Sequence, residues 1–294
     1  MYEKILVPLD GSNLSELVLA YVEELGERLG SEIILVHVCP PKLGSFSHKH
    51  QIYVEQMAQV VKEHLKRKDK VRPVLLSGAP NKEIVDYAKK EDVSLIAMMT
   101  HGQSGVKRWL LGSTADKVIR ETDRPVLLIR AEAPLTMRDE GKLNKLLVPL
   151  DGSKLSEAIL PYVEALLSPI TTVPKPEVTL LHVIAPTRYV AGGGSISNVH
   201  YSMVEMQKLR SLAEGHFKHI ASGLESKGIA VTWEDPVGNT AEVIIDYAEK
   251  NNANLTAMCT HGYSGFSRLF LGSVANRILH HGNTALLLVK PTNA

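Results

Sequence analysis

The chain has 294 residues, 44% of them apolar, and its 33 Lys and Arg nearly balance 32 Asp and Glu for a formal charge of +1. This composition excludes a disordered chain and offers no basic arm or polyanion-binding surface, so no nucleic-acid partner is expected, and the length leaves room for two domains of ordinary size. The run Ile5 to Leu9 is too short for a signal-peptide core and no segment reaches membrane-spanning length, which predicts a cytoplasmic protein with no membrane partner. Cys39 and Cys259 stand at unrelated places in the sequence, so a reduced compartment is expected and neither a disulfide nor a metal cage is.

Taken in order, Ile5 to Leu9 reads as a buried strand that ends at Asp-Gly-Ser, a turn and helix-start signal. Leu14, Leu17, Val18, Tyr21, Val22 and Leu25 then recur at helical spacing. Ile33 to Val38 is a second strand closed by Cys39-Pro40-Pro41, and Tyr53 to Leu65 a second helix. Val71 to Leu76, Asn81 to Lys90, Ser94 to Met99, Ser113 to Arg120 and Val126 to Ile129 continue as strand, helix, strand, helix and strand.

The series then starts again. KILVPLDGS at Lys4 to Ser12 returns as KLLVPLDGS at Lys145 to Ser153. The offset between copies grows from 141 to 145 at His37 and His182 and to 160 from Gly78 and Gly238 onward, so the second copy carries insertions before its second strand and between its second and third. Its elements are Leu146 to Leu150, Leu155 to Leu167, Val178 to Ile184, a long helix from about Val199 to Leu224, Ile229 to Trp233, Ala241 to Lys250, Leu255 to Cys259, Ser273 to His281 and Ala285 to Val289. Ala131 to Asn144, broken by Pro134 and Gly141, suits a linker. Continuous apolar strands alternating with helices predict an α/β chain of two tandem, doubly wound domains, each a parallel sheet flanked by helices, over residues 1–131 and 142–294. The last strands, Pro125 to Arg130 and Ala285 to Lys290, are apolar and lie at a sheet edge, so the copies are expected to pack on each other there as an intramolecular pseudo-dimer.

The stretch most suggestive of chemistry is Ala97 to Ala115, AMMTHGQSGVKRWLLGSTA, which recurs as AMCTHGYSGFSRLFLGSVA at Ala257 to Ala275 with twelve of nineteen positions identical. A strand that breaks at Thr-His-Gly, crosses a glycine-containing loop and enters a helix at Gly-Ser is laid out as an anion-binding turn. Ser113 and Ser273 are expected as N-caps. A Cβ on Gly112 or Gly272 is expected to take the ligand's space while the fold survives.

Strand-Pro-x-Asp-Gly-Ser, Gly-x-Pro-x-x-x-Ile and Thr-His-Gly-x-Ser-Gly-x5-Leu-Gly-Ser before a closing Pro-Val-Leu-Leu-Ile strand resemble the universal stress protein family, in tandem form over nearly the whole chain. The resemblance implies five parallel strands per copy in a Rossmann-like, adenine-nucleotide-binding fold, with ATP as ligand and Mg2+ accompanying it, in a stress-response regulatory or binding protein and not an enzyme. Of the ATP-binding branch's motif G-x2-G-x9-G-[ST] the chain keeps Gly102 with Gly112-Ser113, and Gly262 with Gly272-Ser273; Met99 and Cys259 stand where the first glycine would be. By the same resemblance Asp10 and Asp151 bond the adenosine part, Pro8 and Pro149 shape the turn, the backbone of Val38 and Val183 reads the adenine edge, and Ser113, Thr114, Ser273 and the backbone of Val274 face phosphates. The position of both aspartates, past the carboxyl end of a first strand, is where open α/β sheets bind ligands.

Other features carry less. His101 and His261 precede the loop glycines, and Lys107, Arg108 and Arg268 lie inside the loops, where packing or solvation explains them equally well. His48, His50 and His64 match no zinc spacing. Gly192-Gly193-Gly194 opens no phosphate-binding GK[ST] sequence and reads as a mobile loop, and Lys62 to Lys70 is a solvated helix end. Two alternatives stand beside the regulatory reading: a nucleotide-free scaffold, resting on the lost first glycine, and an adenylating enzyme of the ATP-pyrophosphatase kind. The second would require a Ser-Gly-Gly-x-Asp-Ser loop where this chain has Asp-Gly-Ser-Asn-Leu-Ser. The pairing of whole chains into a further homodimer stays open.

Overall fold

The structure, a computed structural model, describes residues 1–39, 47–100, 111–130, 143–167, 175–185, 187–191, 195–199, 202–262 and 271–291. The first copy comprises β1 (Lys4–Leu9), α1 (Asn13–Glu16), α2 (Leu19–Leu29), β2 (Glu32–Cys39), α3 (Ser47–His64), β3 (Val71–Ser77), α4 (Pro80–Lys90), β4 (Leu95–Met99), α5 (Ser113–Glu121) and β5 (Val126–Ile129). The second comprises β6 (Lys145–Pro149), α6 (Lys154–Glu157), α7 (Leu160–Leu167), β7 (Glu177–Leu181), β8 (Thr187–Ala191), β9 (Ser195–Val199), α8 (Met203–Glu225), β10 (Ala230–Glu234), α9 (Thr240–Lys250), β11 (Leu255–Cys259), α10 (Ser273–His281) and β12 (Ala285–Val289).

Ten strands form one sheet in the order β10-β7-β6-β11-β12-β5-β4-β1-β2-β3. Within each copy every ladder of this sheet is parallel. The copies meet where β5 and β12 pair antiparallel, with Leu127 opposite Leu287, its own equivalent at the offset of 160. A two-fold-like contact of this kind is self-complementary, so each copy covers the other's exposed apolar edge.

Because successive strand side chains point to opposite faces, the apolar strands feed two cores. Ile5, Val7, Ile33 and Leu35 pack against α2 and α3 through Val22, Leu25, Val54 and Val61, and the second copy matches them with Val163, Leu166, Phe217 and Leu224. Leu6, Ile34, Val36 and Ile96 pack on the other side against Ile84, Ala88, Val118 and Ile119. Each copy is thus a helix-sheet-helix sandwich. Ile5 is fully buried, and truncating such a residue to alanine costs about 2–5 kcal/mol.

Helix punctuation follows local chemistry. Gly30 ends α2 at φ 66, and Asp92 and Asn252, equivalents in the two copies, close the turns after α4 and α9 at φ 52, which their short polar side chains tolerate. Three expectations need correction. The first helix of each copy is broken in two, with bonds of the tighter i to i+3 kind at Leu17, Val18 and Tyr21. The long helix of the second copy starts at Met203, not near Val199, because Ser202 and Glu205 form a reciprocal capping box. Between β7 and α8 the chain builds the antiparallel hairpin β8–β9, with Thr187 opposite Val199, where only a loop was expected; Gly192 to Gly194 lie outside the described residues.

Candidate nucleotide-binding site

The strand order reverses direction from β1 in the first copy and from β6 in the second, and this is where a cleft opens. β1 pairs with β4 only at Ile5–Leu95 and Leu6–Ile96, although β1 stays on β2 as far as Leu9 and β4 stays on β5 as far as Met99. Pro8 stands at the fork. It has no N–H to give to a ladder, so the two central strands part beyond it. Pro149 does the same between β6 and β11, whose pairing stops at Leu147–Thr256.

The turn after each fork is rigid. Asp10 Oδ1 accepts from the Ser12 N–H at 3.0 Å and from Ser12 Oγ at 2.6 Å, and Ser12 Oγ in turn accepts the Ser15 N–H at 3.1 Å, capping α1. Asp151, Ser153 and Ser156 reproduce the same bonds at 3.0, 2.6 and 3.1 Å. Gly11 and Gly152, at φ 85 and 76, are the glycines that this turn requires. One carboxylate oxygen of each aspartate is therefore committed to its own turn.

The opposite wall is the first turn of α5 and α10. Gly112 N–H donates to the Thr100 carbonyl at 2.7 Å and Gly272 N–H to the Thr260 carbonyl at 2.9 Å, which draws each helix start against the end of β4 or β11. Ser113 and Ser273 are not the N-caps expected. Gly112 and Gly272 hold that position, and the serines are the first helical residues, with no side-chain cap on either helix. The first intrahelical bond of α5 runs from Asp116 N–H to the Gly112 carbonyl, so the N–H groups of Ser113, Thr114 and Ala115 have no acceptor among the described residues. By contrast α1, α6, α8 and α9 each carry a side-chain cap. Uncapped N–H groups and the positive helix end both suit an anion.

These walls enclose a cavity of about 280 Å³ in the first copy, lined among others by Pro8, Asp10, Val38, Gly112, Ser113 and Thr114. The second copy's cavity, about 480 Å³, has Pro149, Asp151, Val183, Gly262, Gly272, Ser273 and Val274 on its wall. Gly102 lies outside the described residues. Gly262 packs so closely on Asp151 Oδ2 that a Cβ there would overlap the carboxylate, a contact that ties the two halves of the motif together. Met99 and Cys259, each 4% exposed, belong to the core on the α2 and α7 side of the sheet while also reaching the cavity wall. Burial, with Asp151 adding to it, pushes the Cys259 thiol up to about 12.

Several lining residues carried no sequence signal. Thr100 and Thr260 act through backbone carbonyls, and Pro80 and Thr240 differ between copies. His182 lines the second cavity; it stood out only as part of a repeated strand. His261, also on that wall, accepts or donates at Nδ1 with Thr260 Oγ1 at 3.0 Å. His50 meets His37 at 2.6 Å and His64 meets Glu23 at 3.1 Å, at opposite ends of α3, while His101, Lys107, Arg108 and Arg268 lie outside the described residues. Among the described residues no three His, Cys, Asp or Glu side chains gather as a metal site, and no helix is long and apolar enough to cross a membrane.

Known proteins match this architecture twice over. The family model described as the Universal stress protein family matches residues 1–130 and again 142–290. Two Methanocaldococcus jannaschii proteins, Universal stress protein MJ0531 and Universal stress protein MJ0577, are each 30% identical over 141 and 155 residues, covering 83% and 96% of their own length but 44% of this chain. A crystal structure of a universal stress protein from Archaeoglobus fulgidus aligns over 99% of both chains with a TM-score of 0.69 at 21% identity, a likeness of fold. With its family pattern present in two successive copies joined through one sheet, the chain belongs to the universal stress protein family as a tandem member.

Proposed function

We propose that the chain is a regulatory binding protein that takes up an adenine nucleotide, ATP with Mg2+, in each copy and performs no rapid chemistry on it. The observation that supports this most is the pair of uncapped helix starts, α5 and α10, each facing an aspartate across a cavity at a strand switch point. Small-molecule and cofactor pockets commonly measure about 300–1,000 Å³; the second cavity, about 480 Å³, lies inside that span and the first, about 280 Å³, just under it. In this reading the triphosphate lies on the N–H groups of residues 113–115 and their equivalents, and the ribose meets the aspartate. The base enters between Val38 or Val183 and the apolar wall at Ile84 or Ile244. Magnesium arrives on the phosphates, as it usually does where a protein supplies one or two carboxylates and no full cage. Among the described wall side chains a hydroxyl meets a base at Thr260 Oγ1 and His261 Nδ1, but Thr260 is buried at 2% exposure and so poorly placed to attack a bound nucleotide, which favours binding over turnover.

The scaffold reading draws on Met99 and Cys259, which reach the cavity walls from the motif's first position. Calorimetric titration of refolded, nucleotide-free protein with MgATP separates the two. Two binding events are expected, of which Asp10→Asn removes one and Asp151→Asn the other. Absence of any uptake would leave the scaffold standing.

A further inference from the structure

The two cavities are not chemically equal, and His182 makes the difference. Its equivalent in the first copy, His37, has both ring nitrogens engaged: Nδ1 with the Leu9 carbonyl at 2.7 Å and Nε2 with His50 Nδ1 at 2.6 Å, while His50 stacks on it at 4.8 Å. His37 is 4% exposed and is not part of its cavity's wall. In the second copy no such arrangement forms among the described residues. Phe217 of α8 stands against the His182 ring, 5.5 Å between centroids, and offers no nitrogen. His182 Nδ1 is buried without a hydrogen-bond partner among the described residues, and the ring lines the larger cavity together with Asp151. Burial also holds this imidazole below the ordinary histidine range, hence neutral at pH 7 and able to accept or donate one bond. A buried polar atom left unpaired is costly, so a ligand hydroxyl that reaches it is favoured.

We infer that His182 is a specificity residue of the second copy's site: Nδ1 contacts a ribose hydroxyl whose neighbour is held by Asp151, so that this copy selects ribonucleotides over deoxyribonucleotides and the first copy does not. The inference rests on the adenine-nucleotide reading of the site. His182 directly follows the second strand of its copy, which ends at Leu181, the position from which α/β dinucleotide sites commonly hold a ribose hydroxyl with an acidic side chain. An imidazole there serves a similar hydroxyl without adding charge.

The test uses the full chain with one site silenced by Asp10→Asn, titrated with ATP, 2′-deoxy-ATP and 3′-deoxy-ATP. ATP is expected to bind at least tenfold tighter than one of the deoxy analogues. In the His182→Phe background ATP affinity should fall to that analogue's level while the analogue's own affinity is retained, and His182→Asn, whose amide can reach the Nδ1 position, should restore part of the preference. In the complementary chain, silenced by Asp151→Asn, His37→Phe should leave the ratios unchanged. Equal affinity for all three nucleotides in the parent, or a preference that survives His182→Phe, overturns the assignment of His182 alone. Failure of every adenine nucleotide to bind overturns the nucleotide reading as well, and circular dichroism identifies a variant that has unfolded, in which case His182→Asn decides.

Discussion

Arg130 Nη2 lies 2.8 Å from the carbonyl oxygen of Leu279, and so the end of the first copy's last strand caps the last helix of the second. The same nitrogen reaches the Ile278 carbonyl at 2.9 Å and Nε the Thr284 carbonyl at 2.9 Å. Lys290, which corresponds to Arg130 at the offset of 160, returns the contact by donating to the Arg120 carbonyl at the end of α5, 2.7 Å away. Each cation meets the negative end of the other copy's helix dipole, so the β5–β12 ladder and the two helix ends are held as one unit.

Replacing Arg130 by Met removes at least these three bonds and takes that donor from the Leu279 and Thr284 carbonyls, while the Ile278 carbonyl keeps the Gly282 N–H. We expect a loss of about 1.5–3 kcal/mol, from the usual value of charge-assisted bonds, and a smaller loss for Lys290→Met, which has one. Urea unfolding with the two substitutions alone and combined checks this. A loss under about 0.5 kcal/mol for Arg130→Met, the range of an ordinary surface change, would mean that the ladder alone joins the copies.

Stability should also fall as pH drops from 7.5 to 5.5. His37, His182 and His280 are all held below the ordinary histidine value of 6.5, in each case chiefly by burial, with neighbours such as His50, His216 and His281 adding to it. A base whose folded pKa is lowered binds fewer protons folded than unfolded, so its contribution is present above about 6.5 and is lost as pH falls from there toward the folded value. His64 works in the opposite sense, since its bond to Glu23 raises it, but it is fully exposed and counts for little. Thermal midpoints at the two pH values measure the balance. A midpoint that holds or rises at pH 5.5 would refute it.

Both thiols should be inert in the folded protein. Cys259 is 4% exposed with its pKa near 12, and Cys39 is 6% exposed with its thiol donating to the Leu76 carbonyl at 3.2 Å. Alkylation requires thiolate and access, so iodoacetamide should label neither residue until denaturant unfolds the chain. Rapid labelling of Cys259 alone would show that the second cavity opens far wider than its wall here allows.

Much of this molecule was legible because its signals are local. The alternation of Ile5 to Leu9 with the following amphipathic helix needs only periodicity, and a duplicated motif doubles each such signal. Ser202-x-x-Glu205 was equally local, a capping box that fixes the start of α8, and the apolar pattern before it obscured that start. The β8–β9 pair is less transparent, since a Gly-rich stretch of sequence reads alike as loop or as hairpin until strand pairing decides. What the sequence could not carry was the relation between His37 and His182. The two sit in one repeated motif, yet His50 against one and Phe217 against the other arrive from helices whose placement depends on inserted residues of different length. The same holds for Gly272, whose requirement comes from a carbonyl twelve residues earlier in the chain.

That carbonyl changes what a glycine substitution can report. Gly272 has φ −56, which any residue adopts, so conformation does not demand a glycine there. A Cβ on it, however, would stand 2.9 Å from the Thr260 carbonyl oxygen, backbone that cannot swing away, and 3.8 Å from His261 Cα. The expectation that only the ligand would notice is therefore corrected: Gly272→Ala should cost about 1–3 kcal/mol of stability through overpacking, with or without nucleotide. Ser273→Ala is the cleaner probe. The Ser273 side chain is exposed and caps nothing, so stability should change by less than about 0.5 kcal/mol. If phosphate rests on this turn, removal of the hydroxyl should weaken MgATP binding at least tenfold, which is about 1.4 kcal/mol. Calorimetry of the variant beside urea unfolding gives both numbers. Unchanged affinity with unchanged stability would move the phosphate off the serine and onto the backbone N–H groups alone, while a stability loss matching that of Gly272→Ala would mean that the hydroxyl, too, serves the fold.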